Sequence, residues 1–157
     1  MIVRVGFGYD VHSFETGKCI ILGGVKIPFN KKFKAHSDGD VLLHALCDAI
    51  LGAAALGDIG KHFPDDDERF SGISSVELLN ETVFILENEG FKIQNIDASI
   101  AIENPKLQPH IPQMRKNIAA CCHVSIGAVS VKATTTEKLG FVGQEQGAEA
   151  YAVVLIN

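Results

Sequence analysis

Strand-like and helix-like segments alternate along this chain, and this alternation limits its possible folds more than any other feature. Apolar residues recur at every second position near the N-terminus, where Val3, Val5 and Phe7 would share one face of a strand. An Ala- and Leu-rich stretch at 38–56 instead predicts a helix. The mixture argues against an all-helical bundle and an all-strand barrel. It favours an α+β fold, a two-layer α/β sandwich with a mixed sheet and helices on one face.

The boundaries of these segments follow from turn and capping residues. We expect strands at 2–11, 18–22, 25–29, 91–103, 129–135 and 150–156, and helices at 38–56, 74–89 and 111–123. Gly23-Gly24 predicts a hairpin turn, and Ser37-x-x-Asp40 resembles a capping box. Loops are expected at 57–72 and 136–147. Helices on one side would leave the other sheet face apolar and bare, so a second copy of the chain is its simplest cover.

Size and charge narrow the functional classes. A chain of 157 residues predicts a single domain over 1–157. Its 14 Lys and Arg against 19 Asp and Glu give a net charge of −5, which disfavours non-specific binding to nucleic acid or anionic membranes. The longest apolar stretch, 49–57, is far shorter than the ~20 residues that span a bilayer, and the first residues do not resemble a signal peptide. These features predict a cytoplasmic protein.

Three titratable side chains suit a metal site. The four cysteines form no Cys-x-x-Cys pair, so we expect them to be reduced and to pack as small hydrophobes. Asp10 and His12 lie two positions apart at the end of the first strand, and His44 follows in the first helix. One carboxylate and two imidazoles suit Zn²⁺ with a fourth position left open. The alternative is a solvated strand end and a helix histidine without a ligand.

Three further segments suit phosphate or sugar binding. His36 and Ser37 precede the first helix, whose N-terminus could bind an anion or could merely be capped. The turns at 57–60 and 63–67 carry carboxylates that could hold sugar hydroxyls or could only be solvated. Thr134 to Glu137 could hold phosphate oxygens and a hard cation, or could be an ordinary strand edge. No P-loop is present, and Gly6-Phe7-Gly8 lacks the next glycine of a dinucleotide fingerprint.

Six motifs, in order along the chain, carry a family resemblance. They are Asp10-Val11-His12, His36-Ser37-Asp38-Gly39-Asp40-Val41-Leu42-Leu43-His44-Ala45, Leu56-Gly57-Asp58-Ile59-Gly60, Phe63-Pro64-Asp65, Pro109-His110-Ile111-Pro112-Gln113-Met114-Arg115 and Val131-Lys132-Ala133-Thr134-Thr135-Thr136-Glu137-Lys138-Leu139-Gly140-Phe141. Together they closely resemble the 2-C-methyl-D-erythritol 2,4-cyclodiphosphate synthase family. The resemblance covers the chain from its first strand to its last.

The resemblance implies an enzyme of non-mevalonate isoprenoid precursor biosynthesis. It implies conversion of 4-diphosphocytidyl-2-C-methyl-D-erythritol 2-phosphate to the cyclic diphosphate with release of CMP. It also implies a homotrimer whose active sites lie between subunits. By position, Asp10, His12 and His44 match the family's Zn²⁺ ligands, and Glu137 matches the ligand of Mg²⁺ or Mn²⁺ on the diphosphate. His36 and Thr135 match the residues that stabilise the transition state.

The resemblance also implies a set of substrate contacts. They are Asp10, Val11, His12, His36, Ser37, Asp58, Ile59, Gly60, Phe63, Pro64, Asp65, Asp66, Asp67, Ile102, Glu103, Asn104, Pro105, Lys106, Leu107, Gln108, Thr134, Thr135, Thr136, Glu137 and Phe141. The chain departs from the family at Gln144, where arginine is usual, and at Gln108, where an apolar residue is common. The competing hypothesis is a non-catalytic trimer that binds nucleotide or metal on the same scaffold.

Overall fold

The fold is an α+β sandwich, given by a computed structural model that describes residues 3–64, residue 67 and residues 72–157. The strands are β1 (Arg4–Thr16), β2 (Cys19–Leu22), β3 (Val25–Pro28), β4 (Lys31–Phe33), β5 (Ile93–Ala101), β6 (Val129–Thr134) and β7 (Gly147–Ile156). The helices are α1 (Val41–Ala53), α2 (Ile59–His62), α3 (Ser75–Asn88), α4 (Ile111–Cys121) and α5 (Gly140–Gly143), with a 3-10 turn at Ile126–Ala128.

A mixed sheet forms one layer. Within the described residues its strand order is β4-β1-β7-β5-β6, and β2 and β3 form a separate hairpin. The β1, β7 and β5 strands pair antiparallel, whereas β5 and β6 run parallel. This arrangement confirms the expected mixed sheet and the hairpin at Gly23-Gly24. Both of these glycines have positive φ, as a tight two-residue hairpin turn requires.

Helices form the other layer. Most of α1 is buried, and it packs on β1 and β7. The α3 helix packs beside α1, and α4 packs against α3 and β6. Two glycines of β1 allow this close approach. A Cβ on Gly6 would lie 1.8 Å from the Ala49 carbonyl oxygen, and a Cβ on Gly8 would lie 1.8 Å from the Ala45 carbonyl oxygen. The Gly6-Phe7-Gly8 sequence therefore serves packing of a helix on a strand.

The opposite side of the sheet is apolar and exposed. We call this side the open face, and its members are Val3, Val5, Phe7, Tyr9, Val11, Tyr151 and Val153, each between 37% and 65% exposed. The period-2 pattern of β1 creates it, because the alternate residues turn toward α1. Among the described helices, none is long and apolar enough to cross a membrane.

Several element boundaries differ from those that local patterns predicted. The first strand continues to Thr16, and the first helix begins only at Val41, because Asp40 is its N-cap. Ser37 therefore does not cap α1. The loops expected at 57–72 and 136–147 contain the short helices α2 and α5, and β4 was not predicted. A helix of four residues or a strand of three is too short for periodicity to reveal.

Candidate active site

Asp10, His12 and His44 meet where β1 passes α1. Their ligand atoms all lie within 4.8 Å of one another, and this is the one such group found among the described residues. Asp10 Oδ2 is 3.0 Å from His12 Nε2 and 3.1 Å from His44 Nδ1. The two ring nitrogens are 3.2 Å apart. The predicted ligands therefore converge, and all three side chains are half-buried.

Hydrogen bonds behind the rings decide which nitrogens face the cluster as acceptors. His12 Nδ1 lies 3.3 Å from the Lys34 carbonyl oxygen. A carbonyl oxygen can only accept, so Nδ1 carries a proton, and in the neutral ring Nε2 then presents a lone pair. His44 Nε2 lies 2.9 Å from Ser75 Oγ and 3.3 Å from Ser37 Oγ, which leaves Nδ1 facing the cluster.

Three acceptors that face one another favour a positive charge between them. Burial opposes ionisation of Asp10, but hydrogen bonds from His12 and His44 outweigh it and lower the pKa of Asp10 to about 2. Burial likewise opposes protonation of His12, and the hydrogen bond and charge of Asp10 outweigh it and raise the pKa of His12. Both shifts favour a proton held between the Asp10 carboxylate and the His12 ring.

The spacing of the ligand atoms fits a tetrahedral ion. Ligands about 2.0–2.2 Å from Zn²⁺ in tetrahedral geometry lie about 3.3–3.5 Å from one another. The three observed separations are 3.0, 3.1 and 3.2 Å, so a small outward shift would accommodate the ion. One carboxylate and two imidazoles also form a typical donor set for zinc that leaves a position for a further ligand.

A cavity of about 330 Å³ opens beside this cluster. It is lined by Asp10, His12, Lys34, Ala35, His36, Ser37, His44, Asp48, Ile59, Gly60, Phe63, Ile73 and Leu78. The structure therefore brings together most of the first-half residues that the sequence predicted. We call this space the metal-side cavity.

Asp48 positions one wall of the metal-side cavity. It lies one turn after His44 on α1, and its Oδ1 accepts a hydrogen bond of 2.7 Å from the Ile59 N–H. Burial raises the pKa of Asp48. The contact ties the start of α2 to α1, and so holds Ile59 and Gly60 against the cavity. The sequence did not predict this role of Asp48.

The N-terminus of α1 is capped from within the chain. Asp40 is fully buried and accepts hydrogen bonds from the N–H groups of Gly23 (3.0 Å), Gly24 (2.7 Å) and Leu43 (3.1 Å). Burial raises the pKa of Asp40 to about 6, against the opposing effect of these donors. An external anion would have to displace this carboxylate, so of the two alternatives left open by the sequence the contacts of Asp40 favour the cap.

A second cavity lies near the β5–β6 end of the sheet. Its volume is about 540 Å³, and it is lined by Ile102, Glu103, Pro105, Lys106, Leu107, Gln108, Pro109, Ile111, Lys132, Ala133, Thr134 and Thr135. We call it the loop-side cavity. It unites most of the 102–108 segment with Thr134 and Thr135, all of which the family resemblance implies as substrate contacts.

Glu103 shapes the turn that carries Glu137. Its Oε1 accepts hydrogen bonds from the Thr136 N–H at 2.8 Å and from the Lys138 N–H at 3.3 Å. Glu137 and Lys138 both have positive φ, which is a costly conformation for residues other than glycine. The exposed Glu137 carboxylate accepts a hydrogen bond of 3.0 Å from Thr135 Oγ1.

The two cavities share no lining residue, and the strand register sets their separation. Asp10 pairs with Ala150, Ala150 with Ile100, and Ile100 with Ala133. At about 4.8 Å per strand, three steps place Asp10 and Ala133 roughly 14 Å apart along the sheet. Thr135 and Glu137 are thus remote from the metal cluster within one chain.

Some predicted contacts lie away from both cavities. The side chain of Val11 lies on the open face, opposite Asp10 and His12. Asp58 caps α2, where it accepts a hydrogen bond from the Lys61 N–H, and Phe141 lies on α5. Asn104 donates to Glu145. Pro64, Asp67, Thr136 and Glu137 do not line either cavity, and Asp65 and Asp66 fall outside the described residues.

Motif reading missed several residues of the metal-side cavity. Lys34, Ala35, Ile73 and Leu78 line it without belonging to a predicted contact set. Lys34 and Ala35 directly precede His36, so their proximity could have been inferred. Ile73 and Leu78 come from the segment around the start of α3, and only the tertiary fold places them there.

Comparisons with known proteins agree on one family. The model of the YgbB family matches residues 3–157. The 2-C-methyl-D-erythritol 2,4-cyclodiphosphate synthase of Syntrophobacter fumaroxidans is 56% identical over 155 residues, which are 99% of this chain and 98% of the relative. Among solved structures, the bifunctional IspDF of Campylobacter jejuni has a TM-score of 0.94 and 43% identity, covering 99% of this chain and 42% of that one. The Plasmodium falciparum IspF in complex with CDP has a TM-score of 0.85 and 33% identity, covering 98% and 95%.

Proposed function

The chain belongs to the 2-C-methyl-D-erythritol 2,4-cyclodiphosphate synthase family, whose members are lyases of isoprenoid biosynthesis, and from this premise we propose its reaction. We propose that it converts 4-diphosphocytidyl-2-C-methyl-D-erythritol 2-phosphate to 2-C-methyl-D-erythritol 2,4-cyclodiphosphate and CMP. We further propose that residues 1–157 act as one domain, and that the protein works in the cytoplasm. The convergence of Asp10, His12 and His44 is the observation that carries the proposal.

The substrate supplies its own nucleophile. An oxygen of the 2-phosphate attacks the β-phosphorus and forms a new P–O bond, while the bond from the β-phosphorus to the bridging oxygen breaks and CMP leaves. The protein therefore has to bring two anionic phosphates together in line, which is mainly a problem of position and charge. When bound, Zn²⁺ at Asp10, His12 and His44, with Mg²⁺ or Mn²⁺ at Glu137, would neutralise and polarise the phosphate oxygens.

Side chains of the chain itself would orient the reacting groups. His36 and Ser37 lie beside the metal ligands in the metal-side cavity and can hydrogen-bond phosphate oxygens. Ile59, Gly60 and Phe63 line the same cavity and would contact the erythritol part. Thr135 would donate its hydroxyl to the phosphates as charge moves to the leaving group, although it lies in the other cavity.

The distance between the cavities supports an active site shared by two subunits. We assign the cytidine moiety to the loop-side cavity, because a related IspF was solved with CDP and six of the seven residues at 102–108, which the resemblance implies as substrate contacts, line this space. Within one chain the metal cluster and Thr135 stand on separate parts of the sheet. A homotrimer that pairs the metal-side cavity of one chain with the loop-side cavity of its neighbour would bring them together.

Turnover of the cytidyl substrate tests the proposal. We expect the purified protein, supplied with Zn²⁺ and Mg²⁺, to release CMP and to form a cyclic diphosphate that ³¹P NMR detects. His44→Ala should lower kcat/KM by at least about 100-fold, because it removes a metal ligand. His123→Ala is the matched control, since His123 is exposed and pairs with Glu87.

Two results would contradict the proposal. Full turnover by His44→Ala would remove the assigned role of the metal cluster. Binding of CDP or CMP without any turnover would instead favour a non-catalytic nucleotide-binding protein on the same scaffold.

A further inference from the structure

We infer that Ser75 and Asp38 are positioning residues that hold the His44 ring with Nδ1 aimed at the metal. The inference rests on the proposed metal site and adds to it two residues that contact no proposed substrate group. Ser75 opens α3, and Asp38 lies in the segment before α1. The contact from Ser75 Oγ to His44 Nε2 is 2.9 Å long and joins residues 31 positions apart.

The direction of each hydrogen bond follows from the Asp38 carboxylate. Its Oδ2 accepts from the Ser75 N–H at 3.0 Å, and its Oδ1 accepts from the Asp40 N–H at 3.2 Å. The Ser75 hydroxyl also contacts Oδ1. An ionised carboxylate has no proton to give, so the hydroxyl donates to Asp38.

Because the Ser75 hydroxyl donates its proton to Asp38, its oxygen can only act as an acceptor toward His44. A hydroxyl has a single proton, and Ser75 uses it on Asp38, so its oxygen must accept from His44 Nε2–H. A neutral imidazole carries one proton, and placing it on Nε2 leaves the lone pair on Nδ1. Nδ1 is the atom that lies 3.1 Å from Asp10 Oδ2.

Burial makes this chain of hydrogen bonds hard to replace. Ser75 is fully buried, so water has little access to the hydroxyl. Ser37 Oγ is the other group near His44 Nε2, but at 3.3 Å it is a longer partner, and it already accepts from the Gly39 N–H. The two serines therefore contribute unequally, and Ser75 makes the shorter contact with the ring.

Metal titration of the full-length protein tests the inference. Co²⁺ is the probe, because it reports tetrahedral binding by visible absorption and Zn²⁺ competes for the same ligands. Ser75→Ala and Asp38→Asn should each bind Co²⁺ about 10–100-fold more weakly, as is typical when a partner of a metal ligand is lost. Ser75 donates to Asp38 through its N–H and its hydroxyl. In Asp38→Asn, the amide group replaces one of the two acceptor oxygens, so one of these donors loses its acceptor in either orientation of the amide.

Ser74→Ala is the matched control for both variants. Ser74 caps the same helix by accepting from the Val76 N–H at 3.2 Å, and it makes no contact with His44 in the structure. The control should bind Co²⁺ as tightly as the wild type, even if α3 loses stability. A general weakening of α3 would affect the control as well, so the comparison separates positioning from folding.

Nitrogen NMR of the wild-type His44 ring gives a readout that needs no variant. The Nε2–H proton should be visible and slow to exchange with solvent in both the metal-free and the Zn²⁺-loaded protein. A proton found on Nδ1, or Zn²⁺ bound through Nε2, would overturn the inference. If the wild type binds no Co²⁺, the proposed metal site itself fails; if the wild type and both variants bind equally, only this inference fails.

Discussion

On the open face, the single residue Glu149 interacts with two tyrosines. Its Oε2 accepts a hydrogen bond of 3.0 Å from the Tyr9 hydroxyl, and the rings of Tyr9 and Tyr151 lie 5.2 Å apart. Burial and the neighbouring carboxylate raise the pKa of Tyr9 to about 12 and also raise the pKa of Tyr151. Both phenols therefore keep their protons well into alkaline solution.

Glu149→Gln should lower the pKa of both tyrosines toward the ordinary value of 10.0. The chain has two tyrosines and no tryptophan, so an ultraviolet titration of phenolate absorbance reports these side chains alone. A raised pKa in the folded state favours folding below about pH 10, and that contribution is lost as the pH approaches 12. The Glu149→Gln variant should therefore lose less unfolding free energy than the wild type between about pH 10 and about pH 12. Glu87→Gln is a control on a distant surface, and an unchanged titration in Glu149→Gln would refute the assignment.

The contact of α1 with β1 is the element-level feature on which the metal cluster depends. His44 comes from the helix, whereas Asp10 and His12 come from the strand. Their ligand atoms meet only because Gly8 lets the helix backbone lie against the strand. A Cβ at Gly8 would be 1.8 Å from the Ala45 carbonyl oxygen and 2.7 Å from the Ala49 nitrogen, and neither backbone atom can rotate away.

Gly8→Ala should therefore move α1 off the strand. We expect a loss of unfolding free energy of about 1–3 kcal/mol or more from overpacking, together with weaker metal binding. Chemical denaturation and metal analysis would measure the two effects. Gly52→Ala is the matched control inside α1, because a Cβ added there would lie 4.0 Å from its nearest neighbour outside the helix, the Phe7 carbonyl oxygen. Alanine also favours a helix over glycine by about 0.5–1 kcal/mol. Normal stability and metal content in Gly8→Ala would contradict this account.

The open face is the feature that concerns the whole molecule. It groups exposed apolar side chains on β1 and β7, including Val5 at 65% and Phe7 at 63% exposure. Contiguous apolar patches of this kind usually mark an interface between proteins. The proposed trimer would bury this face and would also bring the two separate cavities of neighbouring chains together.

Phe7→Glu should weaken the proposed trimer, because assembly would then bury a carboxylate without a partner. Sedimentation velocity should show a trimeric mass for the wild type and a smaller species for the variant, and turnover should fall in parallel. Phe84→Glu is the control, since Phe84 is 59% exposed on α3, away from the open face. An active monomeric wild type would contradict both the interface and the shared active site.

Local patterns predicted much of the fold and part of the site. Period-2 alternation placed Asp10 and His12 on one face, and the predicted helix at 74–89 begins one residue before α3, whose N-cap is Ser74. The pairing of β5 with β7 and the short elements β4, α2 and α5 were not foreseen. Such features depend on contacts between distant segments, or are too short to produce a periodic signal.

The sequence by itself determined the types of element, the donor set for a metal and the family, because periodicity, side-chain chemistry and motif order can be read along the chain. Only the tertiary structure decided that Asp40 fills the end of α1, that Ser75 supports His44, and that Thr135 stands apart from the metal cluster. Each of these depends on which distant residues the folded backbone brings within hydrogen-bond reach, and no local pattern encodes that distance.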